Sequence, residues 1–366
     1  MKILALLTDA FGGYGGIALY NRDLLTALCA YPHIEKIVAI PRVMPFSSEV
    51  LPDKLLYFTD GLNGKFKYIR TVFDVLKNCS NFNLLFCCHV NLLPIAYLIR
   101  LYYKIPIILL IYGIEAWGQT RNPLLMYLSH RVDAFISISK FTKYRFLNWI
   151  GHGNLKGFVL PNAIHTSTFG PAPKNQTLVK RYGLDNSVVL MTLGRLVSHE
   201  RYKGFDEIIQ LLPVIKNKIP GIKYLLVGDG PDRKRLQKKV NELNLSDSVV
   251  FTGFISENEK ADHFRLADAY VMPGRVEGFG FVFLEALACG IPTVGSKVDG
   301  SREALLGGKL GILVDPSNPE EIEKGIFEAL VRPKGIIPKE LEYFEYKNFA
   351  NRLHVIIDEI SNIRRN

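Results

Sequence analysis

Short, nearly continuous apolar runs alternate along this chain with longer stretches of helical periodicity. In the first half the runs are Ile3–Thr8, Ile37–Ile40, Leu84–Cys88, Ile107–Ile111, Ala134–Ser137 and Gly157–Leu160. In the second they are Val188–Leu193, Lys223–Val227, Val249–Phe251, Ala269–Met272, Pro292–Gly295 and Gly311–Val314. Strands that are apolar on both faces and separated by helices predict parallel sheets covered on both sides. Two such sets predict an α/β chain of two doubly wound, Rossmann-like domains. Pro161, Pro171 and Pro173 among Asn, Ser and Thr mark a linker over 161–177. The domains are therefore expected at 1–163 and 164–345, with a helix over 346–366 crossing back to the first. Ligands of such sheets bind at the C-terminal ends of the strands, so two facing domains would make a cleft.

The most apolar stretch, Val90 to Gly113, is broken by Pro94, Arg100, Lys104 and Pro106. A membrane span needs about twenty almost uninterrupted apolar residues, so this stretch reads as a helix and a buried strand. The run from Met1 to Leu7 meets Asp9 and a glycine cluster at once, which predicts a first strand rather than a signal peptide.

Composition changes the picture in two ways. Cys29, Cys79, Cys87, Cys88 and Cys289 show no paired spacing, which argues for a reducing, cytoplasmic compartment. The net charge of +10 is also uneven: residues 1–163 hold 17 Lys/Arg against 9 Asp/Glu, or +8, leaving +2 for the rest. A basic first half suits an anionic partner, such as the inner face of a membrane or a phosphorylated acceptor. No aromatic-plus-basic motif accompanies it, which argues against nucleic acid.

The segment with most chemistry is M-P-G-R-V-E-G-F-G-F-V-F-L-E-A-L-A-C-G-I-P-T-V, Met272–Val294. A strand enters a loop holding Glu277, Gly278 and Gly280; a helix is predicted from near Phe281, through Glu285, to Gly290. Glycines there let a ligand approach the backbone, and the N–H groups of a helix start favour a diphosphate. Carboxylates at Glu277 and Glu285 suit the hydroxyl groups of a sugar or ribose. Earlier in the same half, Arg195 and Lys203 lie on a loop between a strand and a helix start near Phe205, with Arg201 as a competing cation. Two cations there could neutralise a leaving diphosphate without a metal.

E-G-F-G-F-V-F-L-E resembles the glutamate-x7-glutamate motif of the retaining glycosyltransferases of family 4, which have the GT-B fold. G-R-L followed by K-G is similar to that family's cationic pair. The resemblance implies that Glu277 contacts the donor sugar and Glu285 the ribose, with Arg195 and Lys203 on the diphosphate. It also puts Gly278, Phe279, Gly280, Phe281 and Val282 along the donor. V-V-F-T-G-F-I looks like the family's base-holding region, nominating Phe254 and Ile255, while Asp229 of V-G-D-G-P reads as a turn cap.

In the first half the loop F-G-G-Y-G-G supplies Gly15 and Gly16 near the donor by the same likeness. Gly13, Gly15 and Ala18 also meet a dinucleotide fingerprint, with Glu35 as a poor acidic partner. His89, after a strand, matches a family histidine that faces the donor sugar. Many relatives carry His-Gly where this chain has Tyr112, so a role for that side chain is open. Glu115, Ser139 and Asn162 are candidates on the acceptor side. The implied activity is transfer of a hexose from UDP-glucose first, or GDP-mannose second, to a saccharide or lipid-linked saccharide, with no cofactor and no metal. The alternatives are a sugar-nucleotide 2-epimerase, an NAD-dependent oxidoreductase resting on the glycine fingerprint, and a non-enzymatic sugar-nucleotide binder.

Overall fold

The computed structural model describes all residues except 48–49, 119–121, 152, 198–202 and 364–366. The chain divides into two compact units, Met1–Ala163 with 346–366, and Ile164–Glu345.

The first unit is built on a seven-stranded parallel sheet in the order β3-β2-β1-β4-β5-β6-β7. Its strands are β1 (Lys2–Leu7), β2 (Lys36–Pro41), β3 (Leu55–Tyr57), β4 (Leu84–Cys87), β5 (Ile107–Ile111), β6 (Ala134–Ser137) and β7 (Gly157–Val159). The helices are α1 (Gly16–Ala30), α2 (Lys65–Asn78), α3 (Leu93–Tyr103), α4 (Pro123–Ser129) and α5 (Lys140–Ile150). β4, β5 and β6 are buried along their whole length, which is why they read as unbroken apolar runs. β3 was not legible as a strand: it is three residues long and lies at the sheet edge, too short for any period to show.

The second unit opens with α6 (Gln176–Tyr182) and has six parallel strands in the order β10-β9-β8-β11-β12-β13. These are β8 (Val188–Leu193), β9 (Ile222–Val227), β10 (Val249–Gly253), β11 (Ala269–Met272), β12 (Thr293–Ser296) and β13 (Ile312–Val314). Between and after them run α7 (Phe205–Lys218), α8 (Arg233–Glu242), α9 (Lys260–Leu266), α10 (Phe281–Ala288), α11 (Ser301–Ala304) and α12 (Pro319–Val331). The strand order reverses direction beside β8 and β11, so the loops after those strands form the switch point where doubly wound sheets take ligands.

The last helix, α13 (Tyr346–Ile363), belongs to the first unit and packs against α1. Tyr31 gives the contact its polar lock: its hydroxyl donates to Asp358 at 2.6 Å, and its ring stacks on His354 at 4.2 Å. Phe349, Leu353 and Ile357 supply the apolar side, all nearly fully buried.

Candidate active site

Three loops at the C-terminal end of the second sheet are fastened backbone to backbone. After β8, Gly194 donates its N–H to Val227 and Leu196 donates to Asp229, at 3.0 Å each. Gly228, at the end of β9, donates to Gly253 at 3.0 Å. Gly228 sits at φ +124°, and a Cβ there would overlap the Gly194 carbonyl, so only glycine allows the approach. Arg195 rides at the crest of this arrangement with its side chain exposed. Asp229 acts within its own turn, accepting from the Gly230 N–H at 2.8 Å and from Arg233 at 3.2 Å.

Lys203 is the last residue before Gly204, the N-cap of α7, and its methylene stem lies over Gly194. A Cβ at Gly204 would stand 2.8 Å from the Pro273 carbonyl oxygen, so the start of α7 meets the loop after β11 directly. That approach brings Lys203 Nζ within 3.0 Å of Glu277 Oε2, with both side chains about four-fifths buried. Two residues 74 apart in sequence thus form one ion pair. Arg201 lies outside the described residues.

The Glu277 loop has a second anchor. Asp299 Oδ2 accepts the Glu277 N–H at 2.9 Å, its Oδ1 accepts the Ser301 N–H at 3.0 Å, and Gly300 donates to the Glu277 carbonyl at 2.9 Å. Burial pushes the Asp299 carboxyl up to about 6, against the opposing pull of those N–H groups. A Cβ on Gly300 would overlap the Gly278 carbonyl. Gly280 then turns the chain at φ +93° into α10.

Glu285 is fully buried one turn into α10. Its Oε1 accepts from Lys260 Nζ at 2.6 Å, while among the described residues its Oε2 has no hydrogen-bond partner. Burial raises the Glu285 carboxyl above the ordinary glutamate range, partly countered by Lys260. Burial alone would pull the Lys260 ammonium down, but Glu285 and Glu257 outweigh it and hold it above the usual lysine value. Lys260 and Asp299 were missed by sequence reasoning. No motif spacing links them to the acidic pair, although the D-G after a strand is a turn signal that could have drawn attention to Asp299.

Several named side chains turn out to be occupied elsewhere. Phe279 buries its ring against Phe344, with centroids 5.5 Å apart, which leaves only its backbone to face a ligand. Ile255 is buried while Phe254 is largely exposed; Phe281 and Val282 are half-buried at the start of α10. Gly278 is buried under Gly300.

In the first unit Gly15 caps α1 at φ +87°, and a Cβ on Gly15 or Gly16 would meet nothing within 4 Å. Gly13 differs: its Cβ would press on Ala18 at 2.8 Å, so it is set by packing. Beside this loop a cavity of about 510 Å³ is lined by Asp9, Tyr14, Val43, Met44, Pro45 and Asn63. Burial lifts the Asp9 carboxyl above its usual value. His89 caps a short helical turn, its Nδ1 accepting from the Asn91 N–H at 3.1 Å. Burial, and then the Arg42 charge, lower it to about 4, so the ring is neutral near pH 7.

The Tyr112 hydroxyl donates to Asn21 at 2.6 Å inside the core. Glu115 spends Oε1 on the N–H groups of Tyr112 and Gly113, at 2.6 and 3.0 Å. Ser139, fully buried, caps α5 through the Thr142 N–H. Asn162 is buried, and among the described residues its Oδ1 has no partner. Tyr112 and Glu115 thus hold a loop together; neither is presented as a free acceptor group.

The two parallel, doubly wound α/β units are those of the GT-B fold. Over 99% of its length the chain superposes on all of sucrose-phosphate synthase from Thermosynechococcus elongatus, with a TM-score of 0.77 at 19% identity. Over 98% it superposes on 99% of Anabaena HepE in complex with UDP and glucose, with a TM-score of 0.76 at 20% identity. Residues 175–347 match the family model of glycosyl transferases group 1. Among curated proteins the chain is similar to a GDP-mannose-dependent alpha-(1-6)-phosphatidylinositol monomannoside mannosyltransferase of Mycolicibacterium smegmatis. The identity is 33% over 218 residues, covering 57% of this chain and 56% of that protein. It is also similar to a mannosylfructose-phosphate synthase of Agrobacterium fabrum, at 32% identity over 40% of this chain and 33% of that one. The chain spans about half the length of the mannosyltransferases it matches.

Proposed function

We propose that this chain is a retaining, metal-independent glycosyltransferase that moves a hexose from a nucleotide-diphosphate sugar to a saccharide or lipid-linked saccharide. The observation that carries the reading is the Lys203–Glu277 ion pair, set at the sheet's switch point on the loop that leads to buried Glu285. Glu277 accepts hydrogen bonds from the donor's sugar hydroxyls, and the unshared Oε2 of Glu285 accepts one from the ribose. Arg195 and Lys203 neutralise charge that develops on the departing diphosphate, assisted by the N–H groups at the start of α10. The acceptor oxygen bonds to the anomeric carbon on the face the diphosphate leaves, and its proton passes to an oxygen of that diphosphate. No side chain is then needed as the base. The cavity beside Asp9, with one carboxylate and one amide on an apolar floor, suits the hydroxyls and ring of an acceptor sugar.

For the donor we favour GDP-mannose over UDP-glucose, because the relatives at 32–33% identity over more than half of this chain are named for GDP-mannose. Calorimetry with the two nucleotide sugars, followed by product analysis, tests both choices. Glu277→Gln is expected to lower transfer by about a hundredfold or more, as loss of one transition-state hydrogen-bonding group does. Full activity in that variant would sink the assignment. Interconversion of nucleotide sugars without transfer would indicate an epimerase instead.

A further inference from the structure

The helices of the first unit divide unevenly about its sheet. α2, α3, α4 and α5 all bury side chains, such as Val72, Ile99, Leu128 and Phe146, in one apolar cluster with the strands. Among the described residues, none from α1 or α13 belongs to that cluster. α3 packs on α4 and α4 on α5, and α2 joins them through the shared apolar cluster, so the four helices cover one side of the sheet as a layer.

Charge follows the same division. α2 holds Lys65, Lys67, Arg70 and Lys77 against Asp74; α3 holds Arg100; α4 is uncharged; and α5 holds Lys140, Lys143 and Arg145, a net +7 for the layer. Arg100 is spent on Asp133, Lys143 donates to the Gly157 carbonyl at 2.6 Å, and Arg70 pairs with Asp74 at 3.6 Å. The Arg145 guanidinium lies over the Phe141 and Trp117 rings, while Lys65, Lys67, Lys77 and Lys140 are exposed. α1 balances Arg22 with Asp23, and α13 balances Lys347 and Arg352 with Asp358 and Glu359. The basic surplus of the first unit's helices therefore sits on one layer.

That layer also exposes large apolar groups. On α3, Leu98, Leu101 and Tyr102 recur at helical spacing along the outer face, Tyr102 at 76% exposure. On α4, Leu124 and Tyr127 are exposed, and the Arg131 guanidinium lies 4.8 Å over the Tyr127 ring. Phe66, between Lys65 and Lys67 at the start of α2, is 89% exposed. Apolar groups gathered on one face mark an interaction surface. Protein interfaces are depleted in lysine at their centres, whereas aromatic and leucine side chains flanked by Lys and Arg match the interface of an anionic bilayer. No helix among the described residues is long and apolar enough to cross a membrane.

We infer that the outer face of α3 and α4, flanked by basic α2 and α5, docks the chain on an anionic lipid surface. Leu98, Leu101 and Tyr102 enter the headgroup boundary, while the lysines and arginines meet lipid phosphates. Its use, bringing the catalyst to a lipid-carried acceptor, rests on the transferase reading; the docking does not.

Flotation of the full chain with phosphatidylcholine vesicles, with and without phosphatidylglycerol, tests it. Binding is expected only with phosphatidylglycerol and should weaken as salt rises. Leu101→Asp with Tyr102→Asp should lower partitioning roughly tenfold or more. Lys65→Glu with Lys67→Glu should lower it about fivefold or more per charge. Val355→Asp, an exposed position on balanced α13, should leave it unchanged. Three results would overturn the proposal: no flotation of the wild type, unchanged flotation of the Leu101/Tyr102 variant, or equal loss in the α13 control. A dimer dissolved by the Leu101/Tyr102 changes, without vesicle binding, would instead assign the face to a second copy. Calorimetry with GDP-mannose and UDP-glucose on the same proteins keeps the outcomes separate, since failure to bind either donor refutes the transferase reading and leaves docking standing.

Discussion

The site's two glutamates are each held by a lysine, and the two pairs differ in what water does to them. Lys203–Glu277 is part-buried at a loop, where an ion pair can open to admit a ligand. Lys260–Glu285 is almost wholly buried, so either partner left alone is an uncompensated charge in a low-dielectric site. Lys260→Met should therefore cost about 3–5 kcal/mol. The sign of its pH dependence follows from Glu285, whose carboxyl burial already raises. Without Lys260 that pKa rises further; an acid with a raised folded pKa loses stability as pH rises through it. Denaturant melts of the variant should show the largest deficit at alkaline pH and a smaller one in mild acid, with Lys260→Arg restoring most of it. An equal deficit at every pH would show that the loss is packing. Glu277 and Glu285 were legible because a strand, glycines and a helix start surround them within one short segment. Lys260 was not, because a contact across 25 residues between two helices leaves no periodic trace.

At the scale of elements, the site is a set of turns that permit close backbone approach. Gly228 against Gly194, Gly204 against Pro273 and Gly300 against Gly278 each place one loop on the next. Gly300→Ala must push its Cβ into the Gly278 carbonyl, a backbone atom that cannot rotate away. Calorimetric titration should show nucleotide-sugar binding weakened about tenfold or more, with destabilisation on the order of 1–3 kcal/mol. Unchanged binding would mean that the Glu277 loop tolerates displacement. Most strands were legible to within a residue or so, because burial on both faces writes an unbroken apolar run. β3 left no such record, and which glycines meet which carbonyls depends on turns distant in sequence.

For the molecule as a whole, α13 ties the end of the chain to its beginning. Phe349, Leu353, Ile356, Ile357 and Ile360 are buried on it, worth on the order of 10 kcal/mol of apolar burial to the first unit. Truncation after Glu345 should abolish or strongly lower the melting transition of the first unit. Nucleotide binding through the second unit should persist, and differential scanning calorimetry with titration would separate the two. A truncated chain that melts like the full one would show that α13 is dispensable. The sequence by itself determined two parallel α/β sheets, a basic first half and an acidic pair at the start of a helix. Those properties are written in local composition and period. Only the tertiary structure decided that Lys203 faces Glu277, that Lys260 and Asp299 support the acidic pair, and that Tyr112 and Glu115 are spent on their own loop. It also decided that the basic charge collects on one layer of helices. Each of these is a pairing across tens of residues, set by how strands cross and which helix face meets the sheet, and such pairings leave no mark in local order.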